Sequence, residues 1–88
     1  MTTSELDPFI EPVRAFIEEC HLDGRATLPD DAPLLEWGVL DSLALADLTA
    51  FVERRFGLAV PLAAITPANF RSLRTIAAML AELDADRA

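Results

Sequence analysis

Glu36-Trp37-Gly38-Val39-Leu40-Asp41-Ser42-Leu43 is the stretch where an irregular run punctuated by proline and glycine gives way to a helix. Asp41 reads as the acidic cap of that helix and Ser42 as a residue of its first turn. A carboxylate at a helix start accepts from backbone N–H groups that no helical carbonyl reaches. Downstream, Leu45, Leu48, Val52 and Phe56 recur at three and four residues, the stripe of an amphipathic helix. Gly57 suits the left-handed conformation past a helix end, and Arg54 and Arg55 fall in the last turn, whose partial negative charge favours cations. The reading predicts a helix from Asp41 to Phe56. In its first turn the Ser42 hydroxyl stands beside unsatisfied N–H groups and the positive end of the helix dipole, a setting that favours an attached phosphodiester. An Asp-Ser pair is also an ordinary cap, so these residues alone leave both readings open.

Upstream, no period survives between His21 and Asp41, and Gly24, Pro29, Pro33 and Gly38 mark a segment longer than most loops. Leu28, Leu34, Leu35, Trp37, Val39 and Leu40 supply enough apolar surface to pin it, which predicts an ordered loop with a short helical turn near Leu34. Before it, Leu6, Phe9, Ile10, Val13, Phe16, Ile17 and Cys20 form another helical stripe. Asp7-Pro8 reads as cap and first helical position. Pro12 removes a backbone bond and disturbs the first turns, so the regular helix is expected from Pro12 to Cys20. Cys20 ends the stripe and is expected to be a packed thiol.

Beyond Gly57, Pro61 opens a short helix through Ile65, which Thr66-Pro67 terminates. Ser72 caps a last helix with Leu73, Ile76, Ala77, Leu80 and Leu83 on one face and Arg71, Arg74, Glu82 and Asp84 outside. No strand pattern occurs. The expected fold class is all-α: a small four-helix bundle, three long helices and one short, with a long ordered loop between the first and second.

The length of 88 residues predicts a single domain spanning 1–88, its core at about 9–83. With 52% hydrophobic and 25% charged residues the chain is globular in composition. Fifteen acidic residues against seven basic ones, a net charge of -8, oppose binding to nucleic acid and anionic lipid and favour basic protein partners. The opening MTTSELDPF has neither the basic nor the apolar region of a secretion signal, and the apolar run Phe56 to Ile65 is broken by Pro61. A cytoplasmic monomer without membrane attachment is expected. One cysteine and one histidine supply neither a disulfide framework nor a metal cage. Cys20 and His21 point about 100° apart on a helix, and no nucleophile has a base and orienter, so no catalytic residue is expected.

From Phe9 to Leu83 the chain resembles the acyl carrier protein family. Gly38-Val39-Leu40-Asp41-Ser42-Leu43 is similar to its attachment motif, and Asp47-Leu48, Phe56, Val60-Pro61 and Phe70 through Ile76 fall where later landmarks occur. The resemblance implies that Ser42 receives 4'-phosphopantetheine from coenzyme A through a phosphopantetheinyl transferase. The terminal thiol of that arm then holds cargo as a thioester. It further implies that Asp41 assists recognition by the transferase, that Leu43 contacts partners, and that Asp47 and Glu53 meet basic patches on partner enzymes. The bland reading of those two acids is a solvated helix face.

The chain departs from the housekeeping fatty-acid carriers in two ways. Arg54 and Arg55 offset Asp47 and Glu53, and Ala44 stands where an acid is common. Acid is concentrated instead at Asp23, Asp30, Asp31, Glu36 and Asp41, so docking through the loop and the attachment end is expected. Gly38 to Leu43 and Asn69-Phe70-Arg71-Ser72-Leu73 look more like discrete aminoacyl or lipopeptide-starter carriers of specialised pathways. The partners so implied are an acyl- or aminoacyl-adenylate ligase and a downstream acyltransferase or synthetase condensation domain. Fatty acyl, amino acid and short polyketide cargo stay equally open, since the thioester is the same. Ala46, Ala50, Ala63 and Ala64 would suit either space for cargo or close helix packing. An unmodified helical adaptor that binds a basic partner is the reading from a different class.

Overall fold

The structure is a computed structural model and describes residues 6–22, 24 and 27–86. Among these it is all-helical, with α1 over Asp7–His21, α2 over Ser42–Phe56, a 3-10 turn over Leu62–Ala64 and α3 over Leu73–Asp86. The expected short helix from Pro61 to Ile65 is thus a three-residue 3-10 turn, tied by Ala64 N–H to Pro61 O at 2.9 Å. Pro61 supplies the extended entry but no N–H, and Thr66-Pro67 follows too closely for an α-helix to propagate.

α1 begins earlier than expected. Leu6, not Asp7, is its N-cap residue, and the carbonyl of Leu6 accepts from Phe9 N–H at 2.9 Å and Ile10 N–H at 2.8 Å. Pro12 lies inside the continuous helix. Its missing bond is offset because Ile10 and Val13, on either side, are wholly buried. α1 packs against both α2 and α3. Ile10, Val13 and Ile17 meet Leu48 and Val52 of α2 and Leu73, Ile76, Ala77 and Leu80 of α3 in one cluster that includes Phe70. Leu45, Phe56 and Leu83 join it half-buried. Phe9 packs on Phe56 with centroids 5.1 Å apart, and Phe16 stacks on Phe51 at 4.4 Å. The radius of gyration, 12.2 Å, matches the value of about 12 Å for a packed chain of this length.

Cys20 does not follow the stripe into the core: it is an exposed free thiol. It sits in the last turn of α1. The His21 side chain and Asp23 lie outside the described residues.

The long loop is ordered by polar bonds that its sequence did not announce. Leu34 N–H donates to Arg71 O at 2.8 Å, and Arg74 N–H to Asp30 O at 3.0 Å. Leu28 N–H donates to the Glu18 carboxylate at 2.7 Å, while its carbonyl accepts from Arg14 Nε at 2.9 Å. Arg14 also pairs with Glu11 and Asp30, and Arg74 with Asp31 at 2.7 Å. Leu28, Ala32, Leu34 and Leu40 are buried beneath these bonds, whereas Trp37 is 60% exposed and pins nothing. The turn expected near Leu34 is present as bonds from Trp37 N–H to Pro33 O at 2.9 Å and Gly38 N–H to Leu35 O at 3.2 Å. Gly38, at φ 72, makes the reversal that a side chain would strain.

Candidate functional site

α2 starts one residue later than its cap. Asp41 is extended at φ -105 and ψ -172, and its Oδ1 accepts from Ala44 N–H at 2.8 Å. Its carbonyl accepts from Leu45 N–H at 2.8 Å. Ser42 is therefore the first helical residue. The N–H groups of Ser42 and Leu43 receive no acceptor among the described residues, so two donors and the positive helix end face the solvent beside an exposed Ser42 side chain. Leu43 is 71% exposed, while Ala44 turns into the core. The helix ends at Gly57, left-handed at φ 66 as expected, and Arg55 lies over the Phe56 ring at 5.3 Å.

An apolar groove of about 510 Å³ runs from Ser42 along Leu45, Ala46, Thr49 and Ala50 to Glu53, with Ile65 forming its other wall. These positions recur every three or four residues and form one flank of α2, roughly 16 Å long at 1.5 Å per residue. Ala46 and Ala50 therefore border open surface and leave no void in the bundle, since Leu48 and Val52 fill the core on the opposite flank. Ala63 is exposed on the 3-10 turn and Ala64 is half-buried. The Thr49 hydroxyl donates to Leu45 O at 2.8 Å and adds little polarity to the groove.

Of the acidic residues singled out in the sequence, Asp41 and Asp47 are exposed. Glu53 is half-buried, and its carboxylate accepts from Val60 N–H at 2.9 Å, which ties the end of α2 to the segment that leads into the 3-10 turn. The loop acids divide. Asp30 and Asp31 are engaged by Arg14 and Arg74, so they hold the loop to α1 and α3 and are not loose charge for a partner. The Arg74 guanidinium, bonded to Asp31, holds that carboxyl below its usual range. Glu36 and Asp41 stay exposed beside Ser42 in the chain.

Three residues with structural work, Arg14, Glu18 and Thr75, escaped the sequence reading. Arg14 and Glu18 belong to the polar flank of α1 and gave no periodic signal, although they bind the loop. Ser72 and Thr75 exchange bonds at the start of α3: Ser72 N–H donates to Thr75 Oγ1 at 3.0 Å and Thr75 N–H to Ser72 Oγ at 3.2 Å. The S-x-x-T spacing resembles a capping box and was the available clue. Among the described residues no group of His, Cys, Asp and Glu could hold a metal ion, and no helix is long and apolar enough to cross a membrane.

Ser42 is thus an exposed serine at a capped helix start, beside donors suited to a phosphodiester. The family model described as the phosphopantetheine attachment site matches residues 13–81. The chain belongs to this family of carrier proteins. A probable acyl carrier protein, PigG, of Serratia sp. (strain ATCC 39006) is 32% identical over 65 residues, 73% of this chain and 75% of its own length. Among solved structures, a chain in the crystal structure of an FAD-dependent dehydrogenase is 37% identical with a TM-score of 0.74, over 78% of this chain and 99% of that one. A second is in the complex of the Bradyrhizobium japonicum glycine:[carrier protein] ligase with glycylated carrier protein. It is 30% identical with a TM-score of 0.67, over 86% of this chain and 99% of that one. The same ligase with its cognate carrier protein and a glycyl-adenylate analogue gives 27% identity and 0.67, over 90% and 99%. The chain is thus a carrier of the phosphopantetheine-bearing kind. Its groove and open helix start provide room for such an arm.

Proposed function

We propose that Ser42 is the attachment residue and that the chain is a discrete, non-catalytic carrier for an aminoacyl group. The observation that carries the reading is the position of Ser42: the first residue of α2, exposed, behind a cap whose carboxylate is already spent on Ala44 N–H. The capped carboxylate leaves the Ser42 and Leu43 N–H groups to the phosphate. In the loading step the Ser42 oxygen attacks the β-phosphorus of coenzyme A. A new phosphodiester bond forms, the adenine-nucleotide half departs with the broken pyrophosphate oxygen, and the serine proton passes to a base. We assign that base to the transferase. Once attached, the arm supplies a thiol that holds cargo as a thioester. The groove from Ser42 to Glu53 gives its apolar stem a surface to lie on.

Aminoacyl cargo and an adenylating ligase as donor are supported by the carriers that resemble this chain in complexes with a glycine ligase. The likeness to a chain in a dehydrogenase structure supports a flavoenzyme as a further partner that acts on tethered cargo. We also read residues 1–88 as one carrier domain, with the 3-10 turn in place of the bundle's short helix. The test is intact mass after incubation with coenzyme A and a broad-specificity phosphopantetheinyl transferase. Wild type should gain the mass of one arm and Ser42→Ala none. A wild-type chain that stays unmodified refutes the reading, and an arm on Ser42→Ala moves the site elsewhere.

A further inference from the structure

Trp37 is the only tryptophan of the chain and is 60% exposed. A side chain of that size is usually well covered in a soluble protein, and here the fold leaves its apolar surface in water. The turn beneath it is not loose. Trp37 N–H bonds to Pro33 O at 2.9 Å, Val39 N–H bonds to Leu34 O at 2.9 Å, and the flanking Leu34 and Leu40 are buried. The backbone therefore fixes where the indole leaves the surface while the core gains nothing from it. Leu43, 71% exposed, lies just past Ser42 on the other side. Two large apolar side chains bracket the serine along the chain, with the exposed carboxylate of Asp41 between them and that of Glu36 next to Trp37. An enzyme that reaches Ser42 Oγ must cover this surface, and it meets apolar side chains set among negative charge.

Resting on Ser42 as the attachment residue, we propose that Trp37 is a docking anchor for the phosphopantetheinyl transferase, seated in an apolar pocket rimmed by Lys or Arg that face Glu36 and Asp41. Interfaces concentrate their affinity in such aromatic anchors, and charge complementarity speeds the encounter.

The experiment uses the apo-protein, coenzyme A and a broad-specificity phosphopantetheinyl transferase, with initial rates read by intact mass. Trp37→Ala should raise KM for the carrier about tenfold with little change in kcat, and Trp37→Phe should restore part of the loss. Denaturation midpoints of both variants should match wild type, because the indole supports no core contact. With fluorotryptophan at this single site, the fluorine NMR signal should shift when transferase is added. An unchanged KM for Trp37→Ala, or a defect confined to kcat, overturns the anchor while leaving Ser42 as the site. A wild-type protein that is never modified removes both.

Discussion

At the scale of single residues, an exposed side chain can be replaced without disturbing the fold, which separates chemistry from stability. Ser42→Ala should keep the helical circular dichroism and the denaturation midpoint of wild type, since Ala suits an early helical position and Asp41 still caps. Glu53 is the contrasting case. Glu53→Gln retains an oxygen for Val60 N–H and should be nearly silent, whereas Glu53→Ala leaves that N–H without its acceptor and should cost about 1 kcal/mol in a urea titration. The same pair bears on docking. Leu43 is open to a partner while Glu53 is half-buried and occupied, so Leu43→Ala should slow ligase loading of the arm-bearing protein at least about tenfold. Loading of Glu53→Gln should stay near wild type; the reverse order would place docking on the acids of α2.

At the scale of elements, α2 depends on its two ends and the loop on its ion pairs. Asp41→Ala removes the acceptor for Ala44 N–H and should cost about 1 kcal/mol, read from the denaturation midpoint. The loop latch is sensitive to acid. Arg74 donates to Asp31 and lowers its pKa from the ordinary 3.8, so the carboxylate's contribution is complete above that value and is lost as pH falls through the lower folded value. Asp31→Asn should therefore trail wild type slightly in thermal midpoint near neutrality. The two should converge in strong acid, and added salt should narrow the gap because the pair is exposed. A gap that widened on acidification would reverse this assignment.

At the scale of the whole molecule, α1 joins the other two helices through one core, so damage on either side should be felt throughout. Ile17→Ala and Leu48→Ala should each destabilise by about 2–5 kcal/mol, measured by chemical denaturation. The apolar periods were sufficient to foresee these two residues, because burial on a helix follows the 3.6-residue turn and needs no knowledge of the partner. The same holds for the cap at Asp41, the serine behind it and the stop at Gly57, whose chemistry lies within a few residues of itself. Tertiary structure decided what depends on residues far apart in the chain. It placed Cys20 and Trp37 outside although both are apolar, since neither a stripe nor loop composition says which of its residues other elements will cover. It turned Asp30 and Asp31 from free charge into a latch, because Arg14 and Arg74 reach them from other elements. It also made Ala46 and Ala50 of α2 the floor of an open groove. Small residues fit a cavity and a groove alike, and only the position of Ile65 on the facing segment distinguishes them.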